Sequence, residues 1–199
     1  MKLTLASGSA YRRALVAAVG LSVDVVPPQV DERAVQRAIG RATAAEVASR
    51  LARAKAAEVA QRVEGLVLGA DQVLWDGRDV IGKPEDPSDH LRRLQALRGR
   101  SHELITGWCL HERAEVVREG IARTTLKVRS DLSDEELRAY VATAEGADCA
   151  GGYAIEGHGG WLFEEVKGDY FNVLGLPLLD VITALRELGW RYPVRSEDA

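Results

Sequence analysis

KLTLASGSAYRRALVAAVG, residues 2–20, is the stretch whose reading decides the fold. Lys2 to Ala6 is a short apolar run with the character of a buried strand, and Ser7-Gly8-Ser9 turns the chain. Ala14, Leu15 and Ala18 then recur at helical spacing as far as Gly20, a helix stop. A strand that passes through a tight turn into a helix is the opening of an α/β domain.

The alternation continues outward. Ser22 to Val26 reads as a second strand ended by Pro27-Pro28, and Thr43-Ala44-Ala45-Glu46 has capping-box spacing before an Ala-rich helix to about Val63. On that helix Val47, Leu51 and Ala54 form the expected buried stripe, with Lys55 at its edge. Leu66 to Ala70 is an apolar strand with Asp71 directly at its end, and Gln72 to Gly82 reads as a hairpin turning at Asp76-Gly77. Lys83 falls in the loop before a helix from Asp86-Pro87 to about Leu97. Two long strands follow, about His102 to His111 and Glu115 to Val128, and then a helix capped by Ser133 that runs to about Ala144. Gly151 to Gly160 is a turn-rich or functional loop joined to a strand from Trp161 to Val166. Pro177 at the first helical position and Gly189 past the end bracket the last helix. Helices interleaved with strands, together with adjacent long hairpin strands, predict an α/β fold with a mixed β-sheet flanked by helices.

With 199 residues and 46% apolar content the chain can bury a large core, and no linker interrupts it. Residues 1–195 are expected to form a single domain, with 196–199 a frayed tail. The net charge of −4, with basic and acidic residues interspersed, offers no long positive surface for a nucleic-acid polymer. No segment approaches the ~18 apolar residues of a membrane span, and the start lacks a basic leader, so no membrane association and a cytoplasmic protein are expected. Cys109 and Cys149 are too far apart for a CxxC motif and are expected to be ordinary buried thiols. His90, His102, His111 and His158 lack the helical spacing of a metal site, although His102 and Thr106 are candidates to line a cleft. Arg92, Arg93, Arg98 and Arg100 read as a solvated helix face.

The chemistry-bearing residues gather at strand ends and turns. Ser7, Ser9, Arg12 and Arg13 place hydroxyls and guanidinium groups where a strand turns into a helix, an arrangement that suits phosphate oxygens. The plainer reading of Ser9 is a helix cap with surface arginines beside it. The turn is not a Walker P-loop, because GxxxxGK[ST] is absent. Asp71 at a strand end could orient water or hold Mg²⁺, and Asp31-Glu32 could supply a second hard oxygen ligand. Lys55 and Lys83 would neutralise phosphate charge as it develops.

Taken in order, LASGSAYRR (5–13), VDE (30–32), LARAKA (51–56), GADQV (69–73), IGKP (81–84), ITG (105–107), DCAGGYAIEG (148–157) and GLPL (175–178) resemble the Maf family of nucleotide pyrophosphatases across nearly the whole chain. The resemblance implies a fold like that of inosine-triphosphate pyrophosphatases, with two lobes and a central cleft. It also implies a homodimer, a divalent cation (Mg²⁺ or Mn²⁺), and hydrolysis of a nucleoside triphosphate between its α- and β-phosphates. Asp71 matches the family's proton acceptor and a metal position, and Glu32 matches an acidic metal position. Ser7, Ser9, Arg12, Lys55 and Lys83 match the phosphate-binding set.

Within the family, Tyr11, Gln72 and Glu156 fall at positions that bear on the base, and they resemble the 7-methyl-GTP type more than the dTTP/UTP type. An aromatic face attracts the cationic 7-methylguanine ring, and a carboxylate accepts from guanine N1–H and the 2-amino group. The expected substrate is therefore 7-methyl-GTP, with dTTP or UTP, or a non-enzymatic nucleotide-binding regulator of septum formation, as alternatives. Two departures stand against the closer match. Ala10 replaces the family's proline, and Gly168 to Val173 looks more like the general Maf pattern.

Overall fold

The computed structural model describes residues 2–192, so the tail expected at 196–199 lies outside the described residues. In chain order the strands are β1 (Leu3–Ala6), β2 (Asp24–Val25), β3 (Leu66–Trp75), β4 (Val80–Ile81), β5 (Ser101–Glu112), β6 (Glu115–Val128) and β7 (Phe163–Gly168). The helices are α1 (Ala10–Ala18), α2 (Glu32–Ile39), α3 (Ala44–Ala60), α4 (Pro87–Leu97), α5 (Asp134–Ala142), α6 (Tyr170–Val173) and α7 (Leu178–Glu187). The sheet runs β2-β1-β3-β5-β6-β7, with β4 attached to β3 off that path. β1 is parallel to β2 and β3, whereas β3, β5, β6 and β7 pair antiparallel, which makes the sheet mixed as expected.

Local signals set most boundaries. Thr43 and Glu46 form the capping box at the start of α3, Ser133 and Glu136 form another at α5, and Asp86 caps α4 with Pro87 in its first turn. Four details differ from expectation. Asp71 is not at a strand end, because β3 continues to Trp75 with β5 paired along its whole length. Trp161 lies in a 3-10 turn, His158–Leu162, that precedes β7. Pro177 caps α7 from outside. The short helices α2 and α6 had not been anticipated; neither is long enough to display a clear apolar period.

The face of α3 also differs. The buried positions are Ala44, Ala48, Leu51, Ala52, Lys55, Ala56, Val59 and Ala60, so the small residues face the sheet and Lys55 is buried rather than at an edge. Glycines in the strands are the cause. A Cβ at Gly69 would lie 2.4 Å from Ala52 O, and one at Gly107 would lie 2.6 Å from the backbone of Ala48 and Ser49. The helix rests directly on the sheet backbone there, and only alanines fit between.

Side-chain alternation along β3 divides the core. Val67, Gly69, Asp71 and Val73 face α3, where Val67 and Val73 join the clusters beneath that helix. On the opposite face Leu66, Leu68 and Ala70 pack with α1 and α7, whereas Leu74 packs with α4 and α5. Gln72 falls between these two clusters. Its cross-strand partner on β5 is Thr106, flanked in the same way by Trp108 in one cluster and Leu104 in the other. The two lobes therefore meet at a polar seam.

His102 is buried in the second lobe, within 2.5 Å of the Tyr153 hydroxyl, and burial holds its pKa down to about 4. Against an unfolded value of about 6.5, this contribution to stability is complete above pH ~6.5. It is lost as pH falls from about 6.5 to 4, because the unfolded chain takes up the proton first, at a final cost of about 3 kcal/mol. Urea melts across that window should show the loss in wild type and a shallower slope in His102→Phe; parallel slopes would show that His102 is not the group responsible.

The discounted features find ordinary places. Arg92 and Arg93 pair with Asp89, Arg98 with Asp134, and Arg100 with Asp76, so this cationic cluster is neutralised locally. No helix among the described residues is long and apolar enough to cross a membrane. Cys109 is buried as expected, but Cys149 is only partly buried and lines the cleft, because the Gly-rich loop exposes it there.

Candidate active site

β5 occupies one edge of β3 from Leu66 to Trp75, so β1 and β4 must share the other. β1 covers Leu66 to Gly69 and β4 covers Leu74 and Trp75. Between them the edge at Ala70 to Val73 carries no strand, and a cleft of about 1000 Å³ opens at this notch. Because the notch reaches both faces of the sheet, it is lined by Asp71 from one face and Gln72 from the other.

Ser7 and Ser9 line the cleft from the β1–α1 turn, and Tyr11 and Arg12 from the first turn of α1. Ser7 Oγ accepts from Ser9 N at 3.1 Å, and Ser9 Oγ accepts from Arg12 N at 3.4 Å. Ser9 is thus both the cap of α1 and a cleft-lining residue. Arg12 Nε donates to Gly175 O at 2.7 Å, which fixes the guanidinium beside the acidic pair described next. Burial lowers the Arg12 pKa, while Asp71 and Glu32 act in the opposite direction. Arg13, by contrast, is exposed on α1 and is not among the lining residues: one step along a helix rotates a side chain by about 100°.

Lys55 is the centre of the charge arrangement. Its Nζ lies 2.5 Å from Asp71 Oδ1 and 2.7 Å from Glu32 Oε1. The Lys55 and Asp71 side chains are each 9% exposed, whereas Glu32 is 51% exposed at the mouth. Burial raises the Asp71 pKa above the usual carboxylate range, and the neighbouring Lys55 and Arg12 charges only partly oppose it. Of the Asp31-Glu32 pair, Asp31 caps α2 by accepting from Ala34 N, which leaves Glu32 to reach the cleft.

The far wall comes from the second lobe. Lys83 stands exposed on the loop after β4, and Glu156 is exposed on the Gly-rich loop at the rim. That loop is anchored at several points: His90 Nε2 to Gly152 O, Ala154 N to Tyr140 Oη at 3.0 Å, and Gly159 N to Glu145 Oε2 at 3.0 Å. Burial raises the Tyr11 phenol to about 12, and Cys149 and Glu156, which line the same cleft, act in the same direction. His102 and Thr106 do not line the cleft; both are buried behind it. Asn172 and Thr124, fully buried behind Gln72, escaped sequence reading. For Asn172 the available signal was only a polar residue inside an otherwise apolar run, and Thr124, beside Arg123 and Thr125, gave none.

Among the described residues no group of three or more His, Cys, Asp or Glu side chains could hold a metal by itself. Glu32 and Asp71 nevertheless converge on one cationic atom, so their oxygens lie within reach of a single small cation. Mg²⁺ bound to a nucleotide uses one or two carboxylates and completes its shell with phosphates and water, and this pair fits that demand.

An α/β sheet with a notch that gathers two carboxylates and several cations defines a cleft suited to a small anionic ligand. At the level of the fold, the chain is similar to a HAM1 protein from Coxiella burnetii, with a TM-score of 0.51 at 16% identity, covering 94% of this chain and 99% of that one. The Maf-like protein family matches residues 2–188, and the chain belongs to that family. It is 44% identical to a dTTP/UTP pyrophosphatase of Thermococcus gammatolerans, covering 94% of this chain and 97% of the relative. A dTTP/UTP pyrophosphatase of Geobacter sulfurreducens is 41% identical with the same coverage. A nucleoside triphosphate pyrophosphatase of Rhodopseudomonas palustris is 40% identical over 93% of each chain.

Proposed function

We propose that this chain is a nucleoside triphosphate pyrophosphatase that hydrolyses the bond between the α- and β-phosphates. The observation that carries the reading is the buried Lys55–Asp71 pair, with Glu32 and Arg12 beside it, at the notch in the sheet edge. In the reaction, Asp71 orients a water and takes its proton as the oxygen attacks the α-phosphorus, and pyrophosphate departs. Lys55, Arg12 and Lys83 hold the phosphates and offset the charge on the leaving group. The Ser7–Ser9 turn and the N-terminus of α1 add hydroxyl and amide donors. A divalent cation held by Glu32 and Asp71 would supply further neutralisation of the phosphate oxygens.

For the base, the names of the relatives at 44% and 41% identity favour dTTP and UTP. A second reading, 7-methyl-GTP, rests on Tyr11 and Glu156: an aromatic face and a carboxylate lining the same cleft suit a cationic purine with two N–H donors. The wild-type protein should release pyrophosphate from at least one of UTP, dTTP, GTP, 7-methyl-GTP and CTP with Mg²⁺ or Mn²⁺, and lose that activity in EDTA. Preference for UTP and dTTP would support the first reading, and preference for 7-methyl-GTP the second. Nucleotide binding without pyrophosphate release from any of them would point to a non-enzymatic regulator instead. Size-exclusion chromatography with light scattering tests the proposed homodimer, which a monomer mass would overturn.

A further inference from the structure

We infer that Thr106 and Asn172 lock the Gln72 amide so that it meets the substrate base as a hydrogen-bond acceptor only, which selects bases that carry a ring N–H. The inference rests on the nucleotide reading above and holds for either base class proposed there.

Gln72 Nε2 donates to Thr106 Oγ1 at 3.0 Å and to Asn172 O at 2.6 Å. A primary amide nitrogen has two hydrogens, so both are committed within the protein. Among the described residues Oε1 meets no donor, and Gln72 lines the cleft, so the oxygen is the polar atom left for a ligand. The amide cannot be turned over: Asn172 O is a main-chain carbonyl, which only accepts, and would oppose an oxygen placed against it.

The lock is itself held. Asn172 is fully buried, and its Nδ2 donates to Leu104 O at 3.1 Å and Thr124 Oγ1 at 3.0 Å. Thr124 in turn donates to Asp169 O at 2.9 Å, ahead of the short helix that carries Asn172. Thr106 is also fully buried. This network fills the seam between the two apolar clusters and ties strands β3, β5 and β6 to α6. Such a network fixes one orientation better than a lone side chain could, because each hydrogen bond polarises the next.

Uracil and thymine offer N3–H, and guanine offers N1–H and its 2-amino group. At the ring nitrogen cytosine presents a lone pair, its donor being the exocyclic 4-amino group beside it, and 3-methyluracil presents a methyl group; both face an acceptor aimed at that nitrogen badly. Thr106 and Asn172 are therefore positioning residues for base choice.

The test compares kcat and KM for the best N–H-bearing substrate of the panel with those for CTP and 3-methyl-UTP, in wild type, Thr106→Val and Thr106→Ser. Thr106→Val keeps the shape but removes the acceptor and frees one amide hydrogen. It should lower the discrimination against CTP and 3-methyl-UTP about tenfold, through KM, with kcat on the preferred substrate near wild type. Thr106→Ser should restore the discrimination. An unchanged ratio in a folded Thr106→Val protein overturns the inference, as does a loss of kcat common to all substrates that serine fails to rescue. A wild-type protein inactive on every nucleotide overturns the function beneath it as well, and so is distinguishable from failure of the lock alone.

Discussion

Asp71→Asn is expected to lower pyrophosphate release by at least about a hundredfold while leaving the melting temperature close to that of wild type. The amide keeps the shape of the carboxylate but cannot take the proton of an attacking water, and positioned general bases contribute roughly 10²–10⁴-fold. Stability should escape the usual loss that follows removal of a buried ion-pair partner. Burial already disfavours ionised Asp71, so a neutral group avoids part of that cost. Lys55 is not stranded, because Glu32 remains 2.7 Å away. Turnover assays at saturating nucleotide, paired with thermal melts, separate the two effects. Near-wild-type turnover would remove Asp71 from the role of base, and a collapse in melting temperature would make its role structural.

The second large effect is expected far from any substrate atom. Gly69→Ala places a methyl group 2.4 Å from Ala52 O and 2.8 Å from Ala56 N, both backbone atoms of α3 that cannot rotate away. The helix must lift or slide, at a cost of about 1–3 kcal/mol and a melting temperature lowered by roughly 4–10 °C. Lys55 rides on that helix, one residue before Ala56, so its contact with Asp71 should open. A displacement of about 1 Å at such a pair can cost on the order of a hundredfold in rate. Calorimetry and steady-state kinetics on the same preparation check both halves. Normal stability and turnover in Gly69→Ala would mean that the close approach of α3 to the sheet does not set the site.

These two positions show how far the sequence could be read. Asp71 was legible as a catalytic candidate because a carboxylate directly follows an apolar strand run, and the resemblance to Maf proteins carried its role. Its place inside a continuous strand was not legible, because residues 72–75 join β3 through pairing, with β5 at all four positions and with β4 at Leu74 and Trp75. Ser7, Ser9, Tyr11, Arg12, Glu32, Gln72, Lys83 and Glu156 were also named from sequence and line one cleft, whereas Arg13 next to Arg12 faces away. Thr106 was noticed, but as a cleft residue instead of a buried support for Gln72. Asn172 gave no comparable signal, because its value lies in hydrogen bonds to residues 48 to 100 positions away.

The sequence by itself determined the order of the longer elements, the capped starts of α3, α4 and α5, the long β5–β6 hairpin and the family. These follow from interactions spanning a few residues, or from residue identities alone, and both can be read along the chain. Tertiary structure decided the rest: which face of α3 is buried, the notch between β1 and β4, the buried contact of Lys55 with Asp71, and the seam that orients Gln72. Each depends on the close approach of segments distant in sequence. There, the absence of a side chain at Gly69 and Gly107, or the termination of one strand before another begins, matters more than local propensity.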